Sequence, residues 1–312
     1  SLIKGEGDAS SFPSGGLRAT FEARGYTYWD CTSPAFLRDN VLCIPTIFVS
    51  YNGETLDKKA PLLKSAEAIS KQATRIVNLF KDKDIKHVNA MVGLEQEYFL
   101  IDKRMYLERK DLVHTGRTLF GSMPPKSMDI RGHYFGSIPS RVQAFMTEVD
   151  EELWKLGIYA KTEHNEVAPC QFEIAPLFID ANVAVDQNLI IMDVLKKKAD
   201  KHGMACLLHE KPFQGVNGSG KHNNWSLVTD DGQNLLEPGD RPHENIRFLL
   251  FVCAIIEAVD TYPELLRMAA SCYGNDYRLG ADEAPPAVVS ICMGDELEII
   301  LEKLRNGEHE IK

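Results

Sequence analysis

The chain has 312 residues, of which 44% are hydrophobic and 26% charged, with a formal net charge of −10. Such a composition predicts a soluble globular protein with a full core, built as one large domain or two ordinary ones. The acidic balance argues against nucleic acid or an anionic membrane as partner, and no apolar run approaches the ~20 residues of a membrane span.

Residues 1–57 are rich in Gly, Ser, Pro and Thr with short strand-like runs such as Leu42–Tyr51, which predicts loop and sheet. From Pro61 to Lys83 the apolar residues Leu62, Leu63, Ala66, Ile69, Ala73, Ile76, Val77 and Phe80 recur at helical spacing. A strand over 87–101 follows, and then a connection over 103–137 with no clear periodicity. Connections of that size are usually functional or mobile. Val142, Phe145, Met146, Val149, Leu153 and Leu156 mark one face of a helix from Pro139 to Leu156, and Gly157 stops it. Strand-like sequence over 158–176, a helix over 181–202 ending at Gly203, and a strand over 204–209 come next. Further helices are expected over 243–259 and 295–306. The order strand, helix, strand, helix suggests an α/β body.

Seven cysteines, at 31, 43, 170, 206, 253, 272 and 292, form no CxxC pair. An odd count in mostly apolar contexts predicts reduced core thiols in the cytoplasm. The chain begins at Ser1 in a turn-rich segment without Met or signal peptide, as expected of a piece of something longer.

The residues that point to chemistry are glutamates. Glu95 and Glu97, in VGLEQEYFLID, are two apart and so project from one face of a strand. Carboxylates held that close repel, and a hard divalent cation would relieve the cost. In NEVAPCQFEIAP, Glu166 and Glu173 are seven apart, which would put them on opposite faces. Pro169 between them predicts a bulge or strand break that restores a common face. The bland reading is solvated edge-strand carboxylates, and two close pairs weigh against it. GVNGSGKHNNWSL places His222, Asn224 and Ser226 in alternation after a small-residue turn. Gly218 and Gly220 would let backbone N–H groups approach an anion, and His222 could complete a metal shell. A plain hairpin is the alternative, and no GK[ST] makes it a P-loop. In YRLGADEAPPA, Arg278 suits a carboxylate or phosphate, although a surface Arg–Glu pair with Glu283 is equally compatible.

Taken in order, LEQEYFLID, HNEVAPCQFE, VNGSGKHNNWS and YRLGADEAPPA resemble the signatures of glutamine synthetases, most closely the bacterial type III branch. KPFQG at 211–215 and HYFGSIP at 133–139 add to the resemblance, which covers most of the chain. It implies an α+β catalytic domain over 58–312, a curved antiparallel sheet forming the active-site barrel with helices around it. Residues 1–57 would be the remnant of an N-terminal β-grasp domain.

The resemblance also implies roles. Glu95 and His222 would serve the metal that helps bind nucleotide phosphates, and Glu97, Glu166 and Glu173 the one that binds glutamate. Asn217 and Gly218 would contact the substrate's amino-acid end, and Arg278 its carboxylate. Glu283 would lie on a flap and help take a proton from ammonium, and Tyr134 would bind substrate. Asn224 and Ser226 would approach ATP, the co-substrate, and Mg²⁺ or Mn²⁺ would be the cofactor. GEGDASSFPSGG resembles a loop whose Asp8 and Ser11 complete a neighbouring subunit's site, implying a homo-oligomer of stacked rings. No nucleic acid and no membrane are expected as partners.

Two departures stand out. Nothing after Glu283 matches the family's further metal glutamate and substrate arginine, and much of the β-grasp domain is missing. The expectation is therefore a central portion of an enzyme, inactive when isolated. A γ-glutamyl ligase for a larger amine and a catalytically silent scaffold are the alternatives. Retention of Asp8, Tyr134, Glu166 and Glu283 favours ammonia, and five intact metal ligands disfavour a scaffold.

Overall fold

The computed structural model describes residues 25–50, 53–80, 84–270 and 294–307. Asp8, Ser11, Arg278 and Glu283, together with Cys272 and Cys292, lie outside the described residues.

Strands β1 (Gly25–Trp29), β2 (Phe36–Arg38), β3 (Val41–Cys43) and β4 (Thr46–Ser50) open the described chain. β1 pairs with β4 and β2 with β3. Helix α1 (Lys59–Val77) follows and tightens into a 3₁₀ turn at Asn78–Phe80. Then come β5 (Val88–Leu94), β6 (Gln96–Asp102), α2 (Lys103–Glu108) and α3 (Lys110–Thr115). Helix α4 (Ser140–Lys155), strands β7 (Ala160–Asn165), β8 (Gln171–Pro176) and β9 (Ile179–Asp180), and helix α5 (Ala181–Lys201) form the centre. The described chain closes with β10 (Met204–Leu207), β11 (Asn223–Thr229), α6 (Ile246–Thr261), α7 (Pro263–Ala270) and α8 (Asp295–Arg305).

Two sheets matter for the site, a four-stranded one ordered β10-β6-β8-β7 and a three-stranded one ordered β11-β5-β9. Every pairing among the described strands is antiparallel. The class is therefore α+β, as the resemblance implied, and the α/β reading from element order is corrected. Alternation of elements along the chain does not reveal which strands become neighbours.

Helix α4 shows how the core forms. Val142, Phe145, Met146, Val149 and Leu153 recur every three or four residues and are buried. They pack on Tyr98 and Leu100 of β6, Phe172 and Ile174 of β8, and Ile191, Val194 and Leu195 of α5. Gly157, at φ 73°, ends the helix. Its N–H bonds the Trp154 carbonyl and that of Ile158 the Leu153 carbonyl, while Ile158 packs back into the same cluster. This is a Schellman termination with its hydrophobic contact. On β6, Phe99 faces the other way and joins Leu112, Ala168, Leu207 and Val216. One face of the four-stranded sheet is thus sealed by α4 and α5, leaving the opposite face to carry Glu97.

Three further expectations are corrected. The strand foreseen over 87–101 is two strands, β5 and β6, which belong to different sheets and break at Glu95. The 103–137 connection contains α2, α3 and a turn of π-helix at Ile130–Tyr134, elements too short to register a periodicity. Of the described cysteines, Cys206 packs on the core with its thiol raised by burial, whereas Cys31, Cys170 and Cys253 are exposed and Cys43 is half-buried.

Candidate active site and metal centre

Strand register assembles the site. β6 and β8 pair with Glu97 opposite Glu173 and Phe99 opposite Gln171, and β8 and β7 pair with Glu173 opposite His164. Directly opposed residues share a face with Cβ atoms about 5 Å apart, so His164, Glu173 and Glu97 form a row across three adjacent strands. Glu166 is added by the β7–β8 hairpin, where its N–H donates to the Gln171 carbonyl. Of the bulge or strand break expected at Pro169, the structure has the break, and the chain reverses there completely. In a hairpin the pairing decides the shared face, and the seven-residue spacing along the chain does not.

The second rim comes from the 217–222 loop. β11 pairs with β5 so that Asn224 lies opposite Gly93 and Asn223 opposite Leu94. The ladder runs on past the strand ends, for the Glu95 N–H donates to the His222 carbonyl and the Glu97 N–H to that of Gly220. His222 therefore stands beside Glu95, its Nδ1 3.1 Å from Oε2. Asn224 Nδ2 donates to Glu95 Oε1 at 2.6 Å. A Cβ on Gly220 would meet Glu97 Oε1 at 3.2 Å and His222 Nε2 at 3.4 Å, so the backbone passes where only glycine fits without displacing a neighbour.

Two triads can each hold a cation: Glu95, Glu173 and His222, and His164, Glu166 and Glu173. In each, one ligand atom per residue lies within 4.8 Å of the others. Glu173 belongs to both. The donor set is mainly carboxylate oxygen with one imidazole per triad, which suits Mg²⁺ or Mn²⁺. Glu97 belongs to neither triad. Its Oε2 accepts from the Gly220 N–H at 2.8 Å and from Gln171 Nε2 at 3.0 Å.

The electrostatics reflect crowded carboxylates. Burial pushes the Glu97 carboxyl up to about 7, against the favourable Gly220 N–H, and the charges of Glu166 and Glu173 add to the rise. His164 is pushed up to about 9, first by its bond to Glu173 and against its own burial. Its Nε2 lies 2.7 Å from Glu173 Oε2 and its Nδ1 2.9 Å from the Asn165 carbonyl, two acceptors that favour a proton on each nitrogen. A second proton on His164 offsets part of the charge that a metal would otherwise neutralise. Metal entry would release it, because a ligand imidazole must be neutral.

Of the residues expected from sequence, Glu95, Glu97, Glu166, Glu173 and His222 converge. Tyr134 packs its ring edge-on against His164 at 5.4 Å between centroids. Asn217 is buried, and the Gly218 carbonyl accepts from Gln171 Nε2 at 2.9 Å. Ser226 sits further along β11, with its hydroxyl donating to Asn234. His164 and Gln171 were missed. Each lies two residues before a quoted glutamate, on the same strand face, and period-two counting back from Glu166 and Glu173 would have found both.

Comparisons with known proteins follow this geometry. Residues 70–288 match the family "Glutamine synthetase, catalytic domain", and residues 1–65 match "Glutamine synthetase type III N terminal". A type-3 glutamine synthetase of Dictyostelium discoideum is 55% identical over 311 residues, spanning 98% of this chain and 42% of that protein. A glutamine synthetase of Bacteroides fragilis is 55% identical over 303 residues, 97% of this chain and 41% of that protein. The chain thus spans about two fifths of the curated relatives it matches. Among solved structures, ligand-free GmaS superposes with a TM-score of 0.51 at 23% identity, over 71% of this chain and 46% of that one, a likeness of fold. No described helix is long and apolar enough to cross a membrane. The chain belongs to the glutamine synthetase family, on its type III branch.

Proposed function

We propose that the protein carrying this chain ligates ammonia to the γ-carboxylate of glutamate at the expense of ATP, through γ-glutamyl phosphate. The observation that carries this reading is Glu173 standing between two cation-sized triads in a chain of this family. We assign Mg²⁺ or Mn²⁺ to those triads, and Glu97 to the same centre from its place in the row. The metals would neutralise charge where phosphate and carboxylate oxygens meet.

The chain's own residues then have distinct tasks. Glu95, His222 and Asn224 form the rim assigned to the nucleotide phosphates, with Ser226 further along that strand. Glu166, Glu173 and His164 form the rim assigned to glutamate, with Tyr134 against His164 and with Asn217 and Gly218 at the amino-acid end. The glutamate carboxylate attacks the γ-phosphorus of ATP and releases ADP. Ammonia then attacks the acyl carbon and expels phosphate, the ammonium proton having passed to a carboxylate. We assign that proton transfer to Glu283, with Arg278 on the substrate carboxylate, and Asp8 and Ser11 to the site of a neighbouring subunit. That sharing requires a homo-oligomer, which we take to be stacked rings in the cytoplasm. Residues 1–57 would belong to the N-terminal β-grasp module and 58–312 to the catalytic domain.

The test is phosphate release from ATP with glutamate and Mg²⁺, using the longest natural protein that carries these residues. Ammonium-dependent turnover, lost in Glu97→Ala and Glu283→Ala, is expected. Turnover with larger amines alone, or none with any amine, would overturn the reading.

A further inference from the structure

Gln171 is among the most deeply buried polar residues described, only 1% exposed, and it faces the site from β8. Its single NH₂ group donates to Glu97 Oε2 at 3.0 Å and to the Gly218 carbonyl at 2.9 Å. Both partners are acceptors, so the opposite orientation of the amide would set oxygen against oxygen twice, and only this one satisfies them. The amide therefore ties together three separate pieces of chain: β8, the start of β6, and the glycine loop that leads to His222. Its own Oε1 has no hydrogen-bond partner among the described residues. A buried amide with one half unsatisfied is a costly way to fill space, and a methionine or leucine would pack there without that cost. What the amide supplies is direction. With Gly220 N–H at 2.8 Å it occupies Oε2 of Glu97. Oε1 is left turned toward the point where Gly220 and His222 approach.

We propose that Gln171 is a positioning residue that locks the Glu97 carboxylate so that a single oxygen, Oε1, is presented to the cation, and that holds the glycine loop in register with it. This rests on the assignment of the centre to a divalent metal. Outer partners of metal-binding carboxylates commonly govern affinity about ten- to a hundredfold, and Gln171 is such a partner for Glu97. Lys221 holds the other side of the same loop. Its Nζ donates to the buried Asn188 Oδ1 at 2.9 Å, so the loop is pinned against α5 as well.

The test uses Mn²⁺ as the probe on the longest natural protein that carries these residues, with affinity read by titration calorimetry and folding by thermal melting. Gln171→Met, matched in length but without a donor, should weaken Mn²⁺ binding about ten- to a hundredfold with a melting midpoint close to that of the parent. In a Glu97→Gln background the same substitution should change affinity less than about twofold, because Gln171 acts through Glu97. Gln171→Glu keeps the shape, loses the donor and adds negative charge. It should also weaken binding, where a simple charge effect would strengthen it. Unchanged or tighter Mn²⁺ binding in Gln171→Glu overturns the proposal, as does a Gln171→Met effect that persists undiminished without Glu97. If the parent chain binds no Mn²⁺ in a Glu173-dependent way, the metal assignment itself fails and takes this inference with it.

Discussion

Glu97 and Glu173 stand directly opposite each other on neighbouring antiparallel strands, both buried, with no residue between them. Like charges in that arrangement destabilise a sheet. The structure tolerates the pair because each carboxylate has its own support, Gly220 and Gln171 for Glu97 and His164 for Glu173. A sheet built with this conflict at its centre is poised to bind a cation.

Metal should therefore stabilise the fold. At Mn²⁺ a hundredfold above its Kd, binding to the native state alone adds about 2.7 kcal/mol, seen as a higher melting temperature that EDTA reverses. Glu173→Gln should abolish most of that rise, since both triads share Glu173. Glu95→Gln and Glu166→Gln should each remove less. Equal losses for all three would contradict a shared ligand.

Gly220→Ala places a methyl group 3.2 Å from Glu97 Oε1 and 3.4 Å from His222 Nε2. The expected result is Mn²⁺ affinity reduced roughly tenfold with a stability loss of about 1 kcal/mol or less. Calorimetric titration beside a thermal melt separates the two.

Away from the site, Glu163 carries a pH-dependent penalty. Burial raises its carboxyl from 4.5 to about 8, with Asp150 adding to the rise, and its Oε1 has no hydrogen-bond partner among the described residues. The folded state holds this proton where the unfolded chain has lost it, so stability falls as pH rises between about 4.5 and 8. Glu163→Gln should leave the melting temperature little changed at pH 5 and raise it at pH 8.5. Each pKa unit removed is worth about 1.4 kcal/mol. A rise of the same size at both pH values would show that the charge is not responsible.

Asp30 has the opposite sign. Burial raises its carboxyl, but hydrogen bonds from Thr32, Asn182 and Lys59 outweigh this and hold it at about 2. Lys59 Nζ lies 3.1 Å from Asp30 and 2.5 Å from Asp186 on α5, so the cluster fastens the end of β1 to that helix. The stabilisation is present above the ordinary carboxylate range and is lost as pH falls from 3.8 through about 2. Asp30→Asn should cost about 1–2 kcal/mol at pH 7, with the difference from the parent shrinking toward pH 2 in urea melts.

Much of this was readable along the chain. The apolar stripe of α4 and the stop at Gly157 are local signals, because a helix takes its period and its termination from neighbours a turn away. The 181–202 helix followed the same rule. The glutamates and His222 were legible by residue type and spacing. Strand continuity was not. Glu95 lies between two strands of different sheets, and only the pairing of β5 with β11 and of β6 with β8 reveals the break.

Local sequence by itself determined which residues have the chemistry for a cation and which segments form helices, since both depend on side-chain type and short-range period. The tertiary structure alone decided who faces whom: Glu173 shared by two triads, His164 bonded beside it, and one oxygen of Glu97 held by Gln171. Those outcomes follow from antiparallel register between strands far apart in the chain, 76 residues from Glu97 to Glu173 and 129 from Leu94 to Asn223. Register is set by which apolar faces α4 and α5 can seal, a condition of packing that no single segment contains.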